Sequence, residues 1–410
     1  MLKQLFRDES ALARHRAGPF ARERERYLQH CAEDGATRSA LRLKANELLW
    51  ISKHLRGDPS RGIDISALRE LARERRSICK GATTEQRLID VGRPWLRYLG
   101  WWRVPTVELR FQGHLDAYVA WMRDERGFSS STVVQWRSKI RDFLQWFERA
   151  DRPFSALEPN DLDVYFVTEG ASRWSRVSAS GIAAALRVFL RYMASCGECD
   201  PRVGEGLRGP RLYAQESLPS GPAWTDVHRL LAGTGRDSAA DLRDRAILML
   251  LAVYGMRSGE VRSLRLDQID WRGRVVRVFR LKRRQPQVYP LLQSVAEAVA
   301  RYIDSVRPKA DHPEVFLGLL APHRPLSSGA MSALVRNRFE ALDIEAQHHG
   351  PHALRHACAA RLVAEGLSIK EIADHLGHRT TRATGIYAKI DLSALREVAD
   401  FDLGDLDEGR

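Results

Sequence analysis

The sequence predicts a mainly α-helical protein with one small β-hairpin, organised as two or three domains. Apolar residues recur at helical spacing along most of the chain, whereas one short segment near residue 275 is rich in β-branched residues, which favours a strand. The length of 410 residues exceeds what a single hydrophobic core usually supports. We therefore expect helical domains, with the hairpin confined to the C-terminal part.

Residues 1–100 form a predicted N-terminal helical module with a basic surface. This segment holds 21 basic and 13 acidic residues, a large share of the positive surplus of the chain. The segment from Tyr27 to Ser39 resembles that from Tyr118 to Ser131, which indicates a duplicated helical module. Chance similarity between two amphipathic helices with similar turns is the alternative explanation.

Residues 105–200 are predicted to form a second helical domain of four helices. The first predicted helix covers about 108–126, and the second carries Trp136, Ile140, Phe143 and Phe147 on one face. The third covers 161–168, with Asn160 as its cap, and the fourth covers 177–195. Residues 201–222 are rich in glycine and proline and lack a helical period. They are therefore predicted to be a linker to a third domain, residues 223–400. Residues 401–410 are predicted to form an acidic tail after that domain.

The third domain is predicted to contain the hairpin between helices. Thr225 is the expected cap of a helix ending at Leu231, and residues 241–254 form the expected buried helix after it. Strands are predicted for 275–279 and 287–291, and a further helix for 391–398. The last of these has an apolar face, Leu392, Leu395 and Val398, suited to packing on a partner molecule.

Six residues in this domain could together bind and attack a phosphodiester. They are Arg257 after Gly255, Lys282 in the hairpin, His352 and Arg355 on one helix face, His378 after a Leu-Gly pair, and Tyr387. Lys282 is the only lysine of the hairpin, and the arginines beside it, Arg280, Arg283 and Arg284, are candidate phosphate contacts. No carboxylates cluster with the six, which argues against phosphoryl transfer by two metal ions.

In these motifs, over roughly residues 105–400, the chain resembles the tyrosine recombinases of the phage-integrase and Xer type. The resemblance implies that residues 105–200 are the helical, SAM-like core-binding domain and residues 223–400 the catalytic domain. It implies that Arg257, Lys282, His352, Arg355 and His378 assist attack by Tyr387, with Glu260 supporting Arg257. It also implies a 3′-phosphotyrosyl intermediate, a free 5′-hydroxyl, and a homo-tetramer acting on two double-stranded DNA sites. The hairpin departs from the family pattern in having no glycine in its turn.

The chemistry explains why these residue types occur together. Guanidinium groups neutralise the non-bridging oxygens of the phosphate, and a phenol with a pKa of about 10 needs help to lose its proton. His352 is the expected base or orienting partner of Tyr387, and Lys282 the expected acid for the leaving oxygen. His356 directly follows Arg355 and therefore points to a different face of the helix, where we expect it to have a structural role. No nucleotide-binding loop is present and no carboxylates cluster with the six residues, so we expect no cofactor and no obligatory metal.

Composition and charge are consistent with a DNA-binding protein. The net charge is +13 and the pI about 9.8, as expected for a partner of a polyanion. Five scattered cysteines and the absence of an apolar run long enough to span a bilayer predict a cytoplasmic protein without membrane contact.

Several alternatives stay open from the sequence alone. A type IB topoisomerase that relaxes DNA and a non-catalytic DNA-binding protein of the same fold are the two alternatives to a site-specific recombinase, the integrase or transposase of a mobile element. The N-terminal module could bind DNA or organise the protein assembly. Partner recombinases and accessory DNA-bending proteins are possible.

Overall fold

The structure, a computed structural model, describes residues 1–78, 85–104, 109–212, 221–280 and 285–377, together with Thr384 and Tyr387. Its packing divides the chain into two units, Met1–Val104 with Ser217–Arg410, and Pro105–Glu216. The described residues are mostly helical and include a three-stranded antiparallel sheet, which confirms the predicted fold class.

The N-terminal module has a hydrophobic core of its own, to which Leu28, Leu48 and Trp95 contribute fully buried side chains. Helices α2 and α4 begin after Asp8 and Thr37, whose side chains accept hydrogen bonds from amides of the first turn. Its helices are α1 (Leu2–Leu5), α2 (Glu9–Ala17), α3 (Ala21–Glu33), α4 (Arg38–His54), α5 (Ile65–Ile78) and α6 (Glu85–Tyr98).

The unit Pro105–Glu216 is a bundle around an aromatic core that includes Tyr118, Phe143, Phe147 and Phe189. Its helices are α7 (Gln112–Ala120), α8 (Ser130–Glu148), α9 (Pro159–Tyr165), α10 (Arg176–Ser195) and α11 (Pro201–Glu205). Helices α7 and α9 continue into π-helical turns at Trp121–Glu125 and Phe166–Gly170.

Three sequence predictions for this unit need correction. Among the described residues the first helix begins at Gln112 rather than near 108, and Glu158 rather than Asn160 is the N-cap of α9, through a capping box with Asp161. The predicted linker begins with a helix, α11, because Asp200 caps it and a proline is tolerated in its first turn. Val203 and Leu207 are buried in the core of this unit, so residues 201–207 belong to it.

Helix α10 is the one described helix whose length and apolar composition would allow it to cross a membrane, although it contains no long uninterrupted apolar run. Its buried face, which includes Leu186, Phe189 and Leu190, packs in the aromatic core. That packing is typical of the core helix of a folded domain.

The C-terminal part is built around α13, which is buried along most of its length. Its helices are α12 (Trp224–Ala232), α13 (Ala239–Val253), α14 (Ser258–Arg262), α15 (Gln293–Ser305), α16 (Ser328–Ala341), α17 (Pro351–Ala364) and α18 (Ile369–Leu376). Helix α12 begins after Ala223, so the prediction that Thr225 caps it was wrong. Helix α13 begins after Ser238, whose hydroxyl accepts from the amide of Asp241.

The sheet consists of β1 (Ile269–Asp270), β2 (Val275–Arg280) and β3 (Gln285–Pro290), in the order β1-β2-β3. Val276 pairs with Tyr289 and Val278 with Gln287, so the predicted hairpin is confirmed. Its turn, residues 281–284 with Lys282, lies outside the described residues. The same is true of His378, the predicted helix 391–398 and the tail 401–410.

Candidate active site

Arg257 stands at the N-terminus of α14 and is held there by Glu260. The backbone amide of Arg257 donates to Oε2 of Glu260 at 2.8 Å, and its Nη1 donates to Oε1 at 2.9 Å. Gly255 makes the preceding turn possible, since its φ is +58° and a Cβ there would lie 2.5 Å from Leu376. The Arg257 side chain remains 31% exposed, which leaves it accessible to a ligand.

Arg355 lies on α17 and is buried. Its Nη1 donates to the carbonyl of Gly255 at 2.5 Å, and its Nη2 donates to the carbonyl of Leu376 at 2.7 Å. Burial, followed by the positive charge of Arg257, lowers the pKa of Arg355 to about 10. The guanidinium therefore still carries its charge at neutral pH.

Three arginines converge on the carbonyls at the end of α18. Arg280 donates to the carbonyls of His375 at 3.2 Å and Leu376 at 2.5 Å, Arg355 also donates to Leu376, and Arg257 donates to Gly377 at 3.2 Å. The last carbonyls of a helix have no partner within it and carry partial negative charge, so they attract cations. This turn therefore places the two predicted catalytic arginines beside each other, immediately before His378 in the chain.

Tyr387 packs in a small core formed with α17 and α18, and its side chain is only 2% exposed. Its hydroxyl lies 2.7 Å from Nδ1 of His356. Burial raises the pKa of Tyr387 to about 12 and lowers the pKa of His356 to about 4. The phenol is thus protonated and the imidazole neutral at neutral pH.

His352 lies one turn before His356 on α17, and the centroids of their rings are 4.5 Å apart. Part of His352 is exposed to solvent while its ring packs against that of His356, whereas Arg355 is buried. Desolvation, and then the charges of Arg355 and Arg257, lower the pKa of His352. Among the described residues, therefore, His352 lies near the two arginines but does not hold Tyr387.

The structure adds one contact to the predicted site and corrects one expectation about it. His356, for which a structural role was predicted, contacts the predicted nucleophile, and its i,i+4 spacing from His352 places the two histidine rings on one helix face. Arg280 is 2% exposed and is therefore not an open phosphate contact. Its position on the inward face of a strand could have been read from the alternation of β2.

No metal-binding cluster is found in the described part of the chain. Groups of three or more His, Cys, Asp or Glu side chains with suitable geometry are absent there. Cys199 is buried and its thiol donates to the carbonyl of Leu190, whereas Cys196 is exposed.

Comparison with known proteins defines the family. The model of the phage integrase family matches residues 225–393, and that of the phage integrase N-terminal SAM-like domain matches residues 115–197. A putative integrase/recombinase of Sinorhizobium fredii is 35% identical over 288 residues, covering 70% of each chain. The chain belongs to the phage integrase family of tyrosine recombinases. Members of this family cleave and rejoin DNA strands, and neither alternative function is favoured.

Other relatives of this tyrosine recombinase agree with that assignment. The tyrosine recombinase XerD of Mycobacterium tuberculosis is 29% identical over 311 residues, covering 72% of this chain and 96% of XerD. In fold, this chain is similar to XerH bound to palindromic difH substrate, with a TM-score of 0.55 and 14% identity over 82% of this chain and 94% of XerH. It is also similar to a lambda integrase dimer bound to a core site, with a TM-score of 0.52 and 19% identity over 67% and 94% of the two chains.

Proposed function

We propose that this tyrosine recombinase acts on specific double-stranded DNA sites through Tyr387. The phenolic oxygen attacks the scissile phosphorus, the bond from phosphorus to the 5′-oxygen breaks, and the DNA is held as a 3′-phosphotyrosyl ester. A 5′-hydroxyl of another strand then attacks the same phosphorus and releases Tyr387. Because the ester conserves the phosphodiester bond energy, rejoining requires no nucleotide.

The convergence of Arg257 and Arg355 on one turn, in the same domain as Tyr387, is the observation that supports this proposal most directly. Two guanidinium groups can neutralise the non-bridging oxygens of one phosphate as charge builds in the transition state. His352 stands beside them, where it can orient the phosphate or accept the phenolic proton. Lys282 is the proposed acid that protonates the 5′-oxygen, and His378 the proposed second histidine of the site.

Tyr387 must move before it can react. In the structure its hydroxyl lies against His356, while Nη1 and Nη2 of Arg355 each donate to a backbone carbonyl. We infer that this arrangement is the resting state, and that binding of the DNA phosphate replaces the carbonyls as acceptor for the arginines. The carbonyl of Leu376 keeps Arg280 as a donor during this exchange, and a charged phosphate oxygen is a stronger acceptor for the arginines than a carbonyl.

We infer that the working form is a homo-tetramer on two DNA sites in the cytosol. A structurally similar protein, lambda integrase, has been solved as a tetramer bound to a Holliday junction. The unit Pro105–Glu216 is proposed to bind DNA together with the C-terminal catalytic part. Partner recombinases or DNA-bending proteins could join the assembly.

We also propose that the N-terminal module contacts DNA phosphates. An open cavity of about 750 Å³ is lined by four exposed arginines, Arg7, Arg14, Arg38 and Arg42, with Asp8 as its one acidic residue. None of the four arginines forms an ion pair with a described residue. Arg38 and Arg42 extend from the first turns of α4, where the helix dipole favours an anion.

The experiment that tests the proposed chemistry is trapping on a nicked suicide substrate. Duplexes from the flanks of the gene are incubated with the wild type and with Tyr387→Phe, and protein–DNA adducts are detected after SDS treatment. We expect an adduct with the wild type alone, at one site, with a free 5′-hydroxyl. Adducts on any duplex would instead favour a topoisomerase, and an adduct with Tyr387→Phe would exclude Tyr387 as the nucleophile.

A further inference from the structure

Arg280 is an arginine in a position where the sheet would normally place an apolar residue. Along β2 the side chains alternate, so that Val276, Val278 and Arg280 are buried while Arg277 and Phe279 are exposed. A buried guanidinium carries a large desolvation cost unless its charge and its N–H groups are satisfied. Its partners therefore indicate why the chain keeps a charge there.

These partners come from three separate elements of the candidate active site. Nη1 of Arg280 donates to Oε1 of Glu260 on α14 at 3.3 Å and to the carbonyl of Leu376 at 2.5 Å. Nη2 donates to the carbonyl of His375 at 3.2 Å and to the hydroxyl of Tyr289 on β3. Arg280 thus ties the hairpin to the end of α18 and to the residue that supports Arg257.

Glu260 is shared between two arginines. Its Oε1 accepts from Arg257 at 2.9 Å as well as from Arg280, and the carboxylate is only 4% exposed. If Arg257 were its sole partner, the carboxylate would cancel the charge that Arg257 must offer to a phosphate. With Arg280 present, the cluster of Arg257, Arg280, Arg355 and Glu260 carries two net positive charges.

The two net positive charges of this cluster equal the negative charge that the phosphate carries in the transition state. A phosphodiester carries one negative charge, and about one more accumulates on its non-bridging oxygens in an associative transition state, so that preorganised positive charge lowers the barrier. In a site shielded from water such charges act strongly on one another. Arg280 can contribute to this effect without touching the DNA.

We propose that Arg280 is a positioning residue that neutralises Glu260 and fixes the turn 375–377, leaving the charges of Arg257 and Arg355 to the scissile phosphate. This inference rests on the proposed function, since it requires a phosphodiester at the two arginines. It extends that function by assigning a role to a buried residue that contacts neither the nucleophile nor, by its burial, the substrate.

The test compares Arg280→Met, which removes the charge, with Arg280→Lys, which keeps it. Arg277→Met is the matched control, because Arg277 is exposed on the same strand and pairs with Asp270 at the surface. We expect Arg280→Met to slow single-turnover cleavage of the suicide substrate by on the order of 100-fold, with DNA affinity changed less than about threefold. Arg280→Lys should recover part of the rate, and Arg277→Met should cleave like the wild type.

Two further measurements separate the electrostatic role from simple loss of structure. With a neutral methylphosphonate at the scissile position, the defect of Arg280→Met relative to the wild type should shrink to less than about tenfold, because less negative charge develops. Adding Glu260→Gln to Arg280→Met should recover at least about tenfold, since the unbalanced carboxylate is removed. Thermal unfolding of every variant identifies any that is unfolded, and Tyr289→Phe perturbs the same contact more mildly if Arg280→Met does not fold.

Equal defects on charged and neutral substrates, with no recovery in the double variant, would overturn the proposal and leave Arg280 a purely structural residue. Failure of the underlying recombinase chemistry is distinguishable from this outcome. In that case the wild type itself would form no adduct with the phosphodiester substrate.

Discussion

The hydroxyl of Tyr387 and Nδ1 of His356 are 2.7 Å apart, so the predicted nucleophile is hydrogen-bonded to a histidine that is not among the six predicted catalytic residues. Tyr387 is buried and His356 is half-buried, and the ring of His356 also contacts that of His352 on α17. Because Tyr387 is only 2% exposed, we infer that this hydrogen bond stabilises the proposed resting position rather than the attacking one.

Replacing His356 with phenylalanine should therefore not abolish cleavage. The ring would still pack against Tyr387, but the hydrogen bond that holds the phenol in its resting position would be absent. A net hydrogen bond contributes about 1 kcal/mol, so we expect single-turnover cleavage to stay equal or to rise by up to about fivefold. His352→Phe serves as the control and should be slower by about 100-fold or more. A 100-fold loss in His356→Phe would instead identify His356 as the proton acceptor.

The pH dependence of stability should also report on His356. Its folded pKa of about 4 lies below the ordinary value of 6.5, so the unfolded chain binds the proton more readily between these values. The stabilising contribution is complete above pH 6.5 and is lost as the pH falls towards 4. We expect His356→Phe to lose less unfolding free energy than the wild type between pH 7 and pH 5, by on the order of 1–2 kcal/mol in denaturant titrations. Identical pH profiles would contradict the assigned burial of the imidazole.

Gly377 should be sensitive to substitution for two separable reasons. Its φ of +63° is left-handed, and a Cβ there would overlap the guanidinium of Arg280. Gly366 is the matched control, because its φ is +81° but nothing lies within 4 Å of a Cβ. We expect Gly366→Ala to cost about 1 kcal/mol of unfolding free energy and Gly377→Ala about 2–4 kcal/mol, measured by chemical denaturation. Equal costs would show that the turn can move away from Arg280.

The arginines of the N-terminal cavity should contribute to DNA affinity by binding phosphates. Replacing Arg7, Arg14, Arg38 and Arg42 with alanine should reduce the slope of log affinity against log salt concentration by about 0.9 for each phosphate that is no longer neutralised, on long duplexes. The control replaces four exposed arginines outside the cavity, Arg61, Arg69, Arg73 and Arg76, and thus changes the net charge equally. Equal slopes in the two variants would point to general charge, and an unchanged slope with altered assembly would point to a protein-contact module.

The sequence alone was sufficient to predict the fold class, the two hairpin strands and the family. These depend on local periodicity and on short sequence motifs such as His352-x-x-Arg355. The first residue of a helix was harder to predict where two nearby polar residues could each act as the N-cap. Asn160 was predicted to cap α9, whereas Glu158 does so. Helix α11 was not predicted because a proline and a glycine lie within its five residues, and its stability comes from packing Val203 into a core.

Only the tertiary structure decided which side chains meet. The sequence determined that arginines, histidines and a tyrosine were present in order, but the contacts of Arg280 with Glu260 and Leu376 span 20 and 96 residues along the chain. No local pattern specifies such pairs, since they form only when β2, α14 and α18 pack together and a buried charge must find its acceptors. For the same reason the contact of Tyr387 with His356 on α17 could be identified only from the tertiary structure.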